Sequence, residues 1–174
     1  MKENNGIFEK LIIAIGIPIL VGGMSGLIVG DSRASFEMLE KPGIAPPGWV
    51  FPVVWLVLYA LMGIASYIVY NQETTTQASA HTPTQSSIIS PQQKKNALIL
   101  YGVQLVVNFF WPIIFFGYER YLLAFFWLVL LWTLIIFTIK AFYKISKPAA
   151  WLLVPYLLWV TFAGVLNLAI YCLN

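Results

Sequence analysis

The 174-residue chain is 60% hydrophobic and 16% aromatic, with only 10% charged residues and a net charge of +3. A soluble domain carries about a quarter charged residues to cover its surface, so this composition excludes a water-soluble fold and points to an integral membrane protein. The small, scattered positive charge excludes nucleic-acid recognition, which needs basic residues clustered on one face. One cysteine, Cys172, and one histidine, His81, exclude an intramolecular disulfide, a cysteine cage and a multi-histidine site, and no metal is expected.

Charges are costly in the bilayer core, about 2.5–3.5 kcal/mol each at a helix centre, so they mark the loops. Uncharged stretches run for 20 residues between Lys10 and Asp31, 31 between Lys41 and Glu73, 23 between Lys95 and Glu119, 19 between Arg120 and Lys140, and 27 after Lys147. A helix needs ~20 apolar residues to cross ~30 Å of hydrocarbon. The expectation is an all-α bundle of five transmembrane helices in one domain, 1–174, with spans near 9–30, 49–71, 97–117, 121–141 and 150–172. A barrel strand would alternate apolar and polar residues, and these runs are apolar on all sides.

In the first span, Lys2 and Lys10 precede the apolar run and Ala34 follows it, a pattern that a secretory signal also shows. Twenty apolar residues exceed the usual 7–15 of a signal core, which favours a span. Gly22, Gly26 and Gly30, with Gly16 and Gly23 beside them, form a small-xxx-small stripe. Such a stripe admits another helix, either within the bundle or across a homodimer. The second span carries Trp55, Tyr59, Met62 and Ser66 at i, i+4, i+7 and i+11. A flexible polar linker over 72–96 follows, rich in Thr, Ser and Gln and containing His81, which reads as a solvated side chain.

The third span carries Gln104, Asn108, Trp111 and Phe115, and the fifth carries Tyr156, Trp159, Ala163 and Asn167, each set on one helical stripe. Trp49, Trp127, Trp132 and Trp151 lie near span ends or off such stripes and read as anchors or packing. Pro18, Pro112 and Pro155 predict kinks. Pro112 frees a carbonyl near Asn108 that is a candidate partner for its amide. Amides facing lipid would leave donors unpaired, so Asn108, Gln104 and Asn167 turn toward protein or a cavity. They either join helices or help Trp55, Trp111 and Trp159 hold a flat amphipathic ligand.

As drawn, the spans hold no Asp, Glu, Lys, Arg or His away from their margins. That argues against ion-coupled pumping, acid/base hydrolysis and axial haem ligation. Any chemistry would be redox chemistry of Trp, Tyr or the ligand. Seven Lys residues (2, 10, 94, 95, 140, 144 and 147) fall on one side of the membrane, against Arg33, Lys41 and Arg120 on the other. The bias predicts the N-terminus inside and the C-terminus outside.

The loop into the second span reads Lys41-Pro42-Gly43-Ile44-Ala45-Pro46-Pro47-Gly48-Trp49, followed by Val54-Trp55-Leu56-Val57-Leu58-Tyr59. This resembles the translocator protein family, also called tryptophan-rich sensory proteins or peripheral-type benzodiazepine receptors. Blocks from Gln104 to Gly117 and from Leu152 to Asn167 agree with it. The resemblance implies a receptor- or sensor-type five-helix bundle, and the brevity of the chain points to a bacterial cell membrane. It also implies a pocket, closed by the first loop, for tetrapyrroles such as protoporphyrin IX and haem-related molecules, for sterols, and for isoquinoline or benzodiazepine ligands. No covalently bound cofactor is implied, and porphyrin is ligand or substrate.

By position, Trp55 and Trp159 match the tryptophans that some bacterial members use in light- and oxygen-dependent porphyrin breakdown, and Asn108, Trp111, Ala163 and Asn167 match other pocket positions. With Tyr59, Phe115 and Tyr156 from the stripes, these form the expected ligand site, and Arg33, Lys41 and Arg120 form a cationic rim for ligand carboxylates. A passive carrier of tetrapyrroles or sterol-like lipids is the alternative. The chain departs from the family at three places. Ile44 replaces a loop tryptophan, Leu168 and the lack of a basic residue after Tyr171 remove the sterol pattern, and Ile99 and Val103 replace a glycine pair used by some dimers.

Overall fold

A computed structural model describes residues 2–30, 38–74 and 89–174, with side chains from residue 6 onward. Arg33, Ala34, His81 and the 75–88 part of the expected linker lie outside the described residues. Among those described there are helices and turns and no strand. Five segments are long and apolar enough to cross a membrane: Gly6–Val29, Val50–Asn71, Pro91–Gly117, Tyr121–Tyr143 and Lys147–Leu173. The five-span expectation holds.

Helix α1, Lys2–Val29, runs unbroken through Pro18. It stops at Gly30, whose φ of 39° lies in the left-handed region that glycine enters without penalty. The Gly30 amide there donates to the Gly26 carbonyl, at 3.2 Å. Helix α2, Val50–Asn71, starts where the Val50 amide donates to the Pro47 carbonyl, at 3.0 Å.

Helix α3, Pro91–Pro112, begins inside the expected 72–96 linker, which therefore ends six residues early. The Ser90 hydroxyl accepts from the Gln93 amide at 3.1 Å, and Pro91 sits in the first turn, where its missing N–H costs nothing. Its polar composition, Pro91-Gln92-Gln93-Lys94, masked this first turn. Pro112 acts on the other end, where the chain widens into a π-helical turn, Ile113–Gly117. The Tyr118 amide donates to the Ile113 carbonyl at 3.0 Å, and Glu119 takes a φ of 53° as the segment ends. Wider turns of this kind are one way that a helix absorbs local disruption.

Helix α4 spans Tyr121–Tyr143. The fifth span is not one continuous helix. It consists of α5, Lys147–Trp151, and α6, Val154–Leu173, divided at Leu152 and Leu153. Pro155, in the first turn of α6, has no N–H to return to the preceding turn. The expected kink is thus a break.

Helix α1 packs chiefly on α2, α4 on α3 and α6, and the short helix α5 meets α2. Met62, Ala65 and Val69 of α2, Leu131 and Ile135 of α4, and Val160 and Ile170 of α6 are fully buried in the shared core. Gly63 makes the closest approach possible: a Cβ there would collide with the backbone of Ala14 and Ile15 on α1. The outer faces are apolar, with Leu27 of α1 82% exposed. In water such a surface would drive aggregation; in a bilayer it is the lipid contact.

Candidate ligand pocket

A cavity of about 450 Å³ opens between α1, α2 and the end of α3. Helical spacing builds its aromatic wall. Phe51, Trp55 and Tyr59 recur every four residues on α2, so all three face the same way. Trp111, Pro112 and Phe116 come from the end of α3 and its π-helical turn. Opposite them α1 presents Gly22, Gly23, Ser25 and Gly26, whose small side chains leave the volume unfilled. The stripe foreseen as a helix-packing groove therefore does both jobs. A Cβ on Gly22 would collide with the Tyr59 ring, whereas one on Gly23 would meet nothing.

The indole of Trp55 is the hub. It stacks on Tyr59, with centroids 5.3 Å apart and planes at 28°, and lies 6.4 Å from Trp111 and 6.1 Å from Tyr156. Trp159 does not line the cavity, but it meets the lining residue Phe51 edge-on at 5.9 Å. Phe115 lies behind Trp111 at 5.5 Å and touches Tyr121 at 5.2 Å. Of the expected site residues, the structure therefore sets Trp55, Tyr59 and Trp111 in the wall. Trp159 and Tyr156 are one ring away, and Phe115 sits behind Trp111.

The buried amides form a network at the back of this wall. The Tyr59 hydroxyl donates to Asn108 Oδ1 at 2.9 Å, Asn108 Nδ2 donates to the Tyr156 hydroxyl at 2.8 Å, and that hydroxyl donates to Gln104 Oε1 at 3.0 Å. Three helices are tied through one asparagine. The Asn108 side chain thus bonds to two phenols, not to the carbonyl that Pro112 was expected to free. The carbonyl of Val107, one residue earlier, accepts from the Trp127 indole at 2.7 Å. Asn167 Nδ2 donates to the Tyr121 carbonyl at 2.8 Å, holding α6 to the start of α4, and Ala163 is buried on the same face.

Some buried polar atoms have no protein partner: Ser25 Oγ and Trp111 Nε1, both on lining residues, and Trp159 Nε1 and Asn167 Oδ1 deeper in the bundle. A buried polar group without a partner is costly, and each one needs an explanation. Of the expected rim cations, Lys41 is half-buried in the first loop and Arg120 is exposed at the head of α4. Among the described residues of that loop, Gly48 reaches the cavity lining. The loop is tied at its other end to the C-terminal residue, because the Asn174 side chain accepts from the Glu40 amide and donates to the Glu40 carbonyl, both at 3.1 Å.

Sequence reasoning missed the α1 face and Phe51. The signals were present: Phe51 lies one turn before Trp55 on the same stripe, and four small residues within 22–26 cannot fill space that larger neighbours leave.

Five spans, an aromatic pocket and no Asp, Glu, Lys, Arg or His at mid-membrane among the described residues define a membrane protein of the small-ligand receptor or translocator class. The chain belongs to the TspO/MBR family, whose model matches residues 14–173. A Tryptophan-rich protein TspO of Chlorobaculum tepidum is 36% identical over 170 residues, covering 94% of this chain and 95% of that protein. A Tryptophan-rich sensory protein of Cereibacter sphaeroides is 32% identical over 174 residues, covering 100% and 95%. The Translocator protein of Bos taurus is 34% identical over 158 residues, covering 88% and 85%. These similarities support a membrane sensor or translocator role.

Proposed function

We propose that this protein binds a flat, amphipathic tetrapyrrole such as protoporphyrin IX in the cavity between α1, α2 and α3. The observation that carries the reading is the wall itself, in which Trp55, Tyr59 and Trp111 line about 450 Å³ opposite a face of glycines. Clefts of roughly 300–1,000 Å³ with mostly apolar walls and a few polar groups suit ligands of this size. The unpartnered Ser25 hydroxyl and Trp111 indole N–H are donors for an acceptor that the ligand brings. Each stacking contact adds only ~0.5–1.5 kcal/mol beyond burial, so affinity comes mainly from removing a large apolar face from water or lipid headgroups. Micromolar binding, about 8 kcal/mol, is expected.

Titration of protoporphyrin IX into the detergent-purified protein tests this. Saturable tryptophan quenching is expected, with affinity reduced in Trp55→Phe; quenching that never saturates would overturn the reading.

Light-driven breakdown of the bound ligand extends it. Excited porphyrin takes one electron from the Trp55 or Trp159 indole, the reduced ring adds molecular oxygen, and the electron returns to the indole, for a net addition of one O₂. Illuminated wild type should outpace Trp55→Phe and Trp159→Phe in product formation, and equal rates leave binding alone. A second reading, passive transfer, is favoured by one feature: Leu27 and Leu56 line the cavity and are exposed on the bundle's outer surface, so the cavity meets lipid. Porphyrin flux into proteoliposomes above the empty-liposome rate would support it, and equal rates would reject it.

A further inference from the structure

We propose that the ends of α1, α2 and α3 on the lysine-rich side form a docking site for the phosphate headgroup of an anionic lipid, centred on Lys10, Tyr70 and Lys94. Each residue comes from a different helix. Lys10 Nζ lies 5.9 Å and Lys94 Nζ 5.4 Å from the centroid of the one Tyr70 ring, so the two amines are no more than about 11 Å apart. Among the other described residues, Lys140 lies over Phe137 and Lys147 over Tyr143, one lysine to each ring.

Lys94 is held in place, because its amine donates to the Gln72 carbonyl at 2.8 Å where α2 ends. It also stands in the opening turns of α3, a helix with no acidic residue in its first turn. The exposed N–H groups of that end add about half a positive charge. Lys95 follows on the same turn and is exposed. The nearest carboxylates in sequence are Glu9 and Glu73. Among the described residues, no carboxylate comes within ion-pairing distance of Lys10 or Lys94. Two cations on one ring repel each other, and the ring quadrupole offsets only part of that repulsion. A bridging anion removes it.

Position selects a lipid over a soluble anion. All three helices are transmembrane spans, and the cluster lies at their ends, where headgroups and amphipathic aromatic rings reside. Tyr70 is half exposed, and one and two turns deeper than Lys10 the α1 residues Ile13 and Ile17 present apolar surface outward, suited to acyl chains below a headgroup. Basic pockets between transmembrane helices recognise anionic headgroups by this combination of charge and depth. The proposal is independent of the porphyrin reading, since the cluster and the cavity share no residue.

Native mass spectrometry of the purified protein, equilibrated with equal amounts of phosphatidylglycerol and phosphatidylcholine, tests it. The wild type should retain phosphatidylglycerol in preference, and Lys10→Gln/Lys94→Gln should lose that preference about tenfold or more. Lys140→Gln/Lys147→Gln should keep it, with circular dichroism confirming the fold of both variants. Equal retention of the two lipids by the wild type, or an unchanged preference in Lys10→Gln/Lys94→Gln, would overturn the proposal. Displacement of the lipid by millimolar inorganic phosphate would also overturn it, in favour of a soluble anion.

Discussion

Asn108 carries the back of the pocket. Its amide spends one acceptor and one donor on two phenols, so Tyr59 presents its ring to the cavity while its hydroxyl is satisfied behind it. Replacing it with Ala leaves the buried Tyr59 hydroxyl without its acceptor and the Tyr156 hydroxyl with its bond to Gln104 alone. An average interhelical bond in a membrane is worth only ~0.6 kcal/mol, but orphaned groups cost more, so the loss should be roughly 1–3 kcal/mol. Thermal unfolding in detergent should fall accordingly for Asn108→Ala, while Trp55→Phe leaves stability nearly unchanged and weakens porphyrin binding.

Ser25 makes the complementary prediction. Its hydroxyl has no protein partner, so Ser25→Ala should not destabilise the protein. If the ligand supplies the acceptor, the same change weakens binding about three- to tenfold, the worth of one hydrogen bond. Equal affinity of the two proteins would remove Ser25 from the site. Trp55, Tyr59 and Trp111 were legible in the sequence because a helical stripe of amphipathic aromatics in a membrane span has few places to go. Ser25 was not, because a lone serine in an apolar run carries no periodic signal of its own.

Helices one and two meet through small residues, and the two glycine positions there differ. Gly63 faces the α1 backbone, and Gly23 faces open space. Gly63→Val should force α1 and α2 apart and cost about 1–3 kcal/mol or more, as overpacking does, while Gly23→Ala should be neutral or slightly stabilising through helix propensity. Comparison of their melting temperatures checks the pair, and equal shifts would contradict the packing described.

Composition and charge spacing alone placed the five spans, because the cost of a buried charge is nearly independent of tertiary context. Irregularities within the spans were only half legible. Pro112 and Pro155 announced disturbances, yet a π-helical turn in one case and a break at Leu152 and Leu153 in the other follow from how neighbouring helices re-pair the freed backbone. The early start of α3 rests on a serine cap that a polar-linker reading passes over. Ser-Pro ahead of an apolar run is a helix-start signal, and at residues 90–91 it was available.

Across the whole molecule, one scarcity organises everything. With 10% of residues charged, the described spans hold no Asp, Glu, Lys, Arg or His at mid-membrane, which leaves recognition to aromatic rings, amides and cavity volume. Volume is the central claim: the glycines of α1 face the α2 and α3 aromatics across a space large enough for a flat ligand. The most direct test fills that space without disturbing its walls. Gly23 lines the cavity and has room for a side chain, so Gly23→Phe should leave the melting temperature within a few degrees of the wild type while abolishing saturable protoporphyrin IX quenching. Wild-type affinity in a folded Gly23→Phe protein would contradict the account and move the ligand site elsewhere in the bundle.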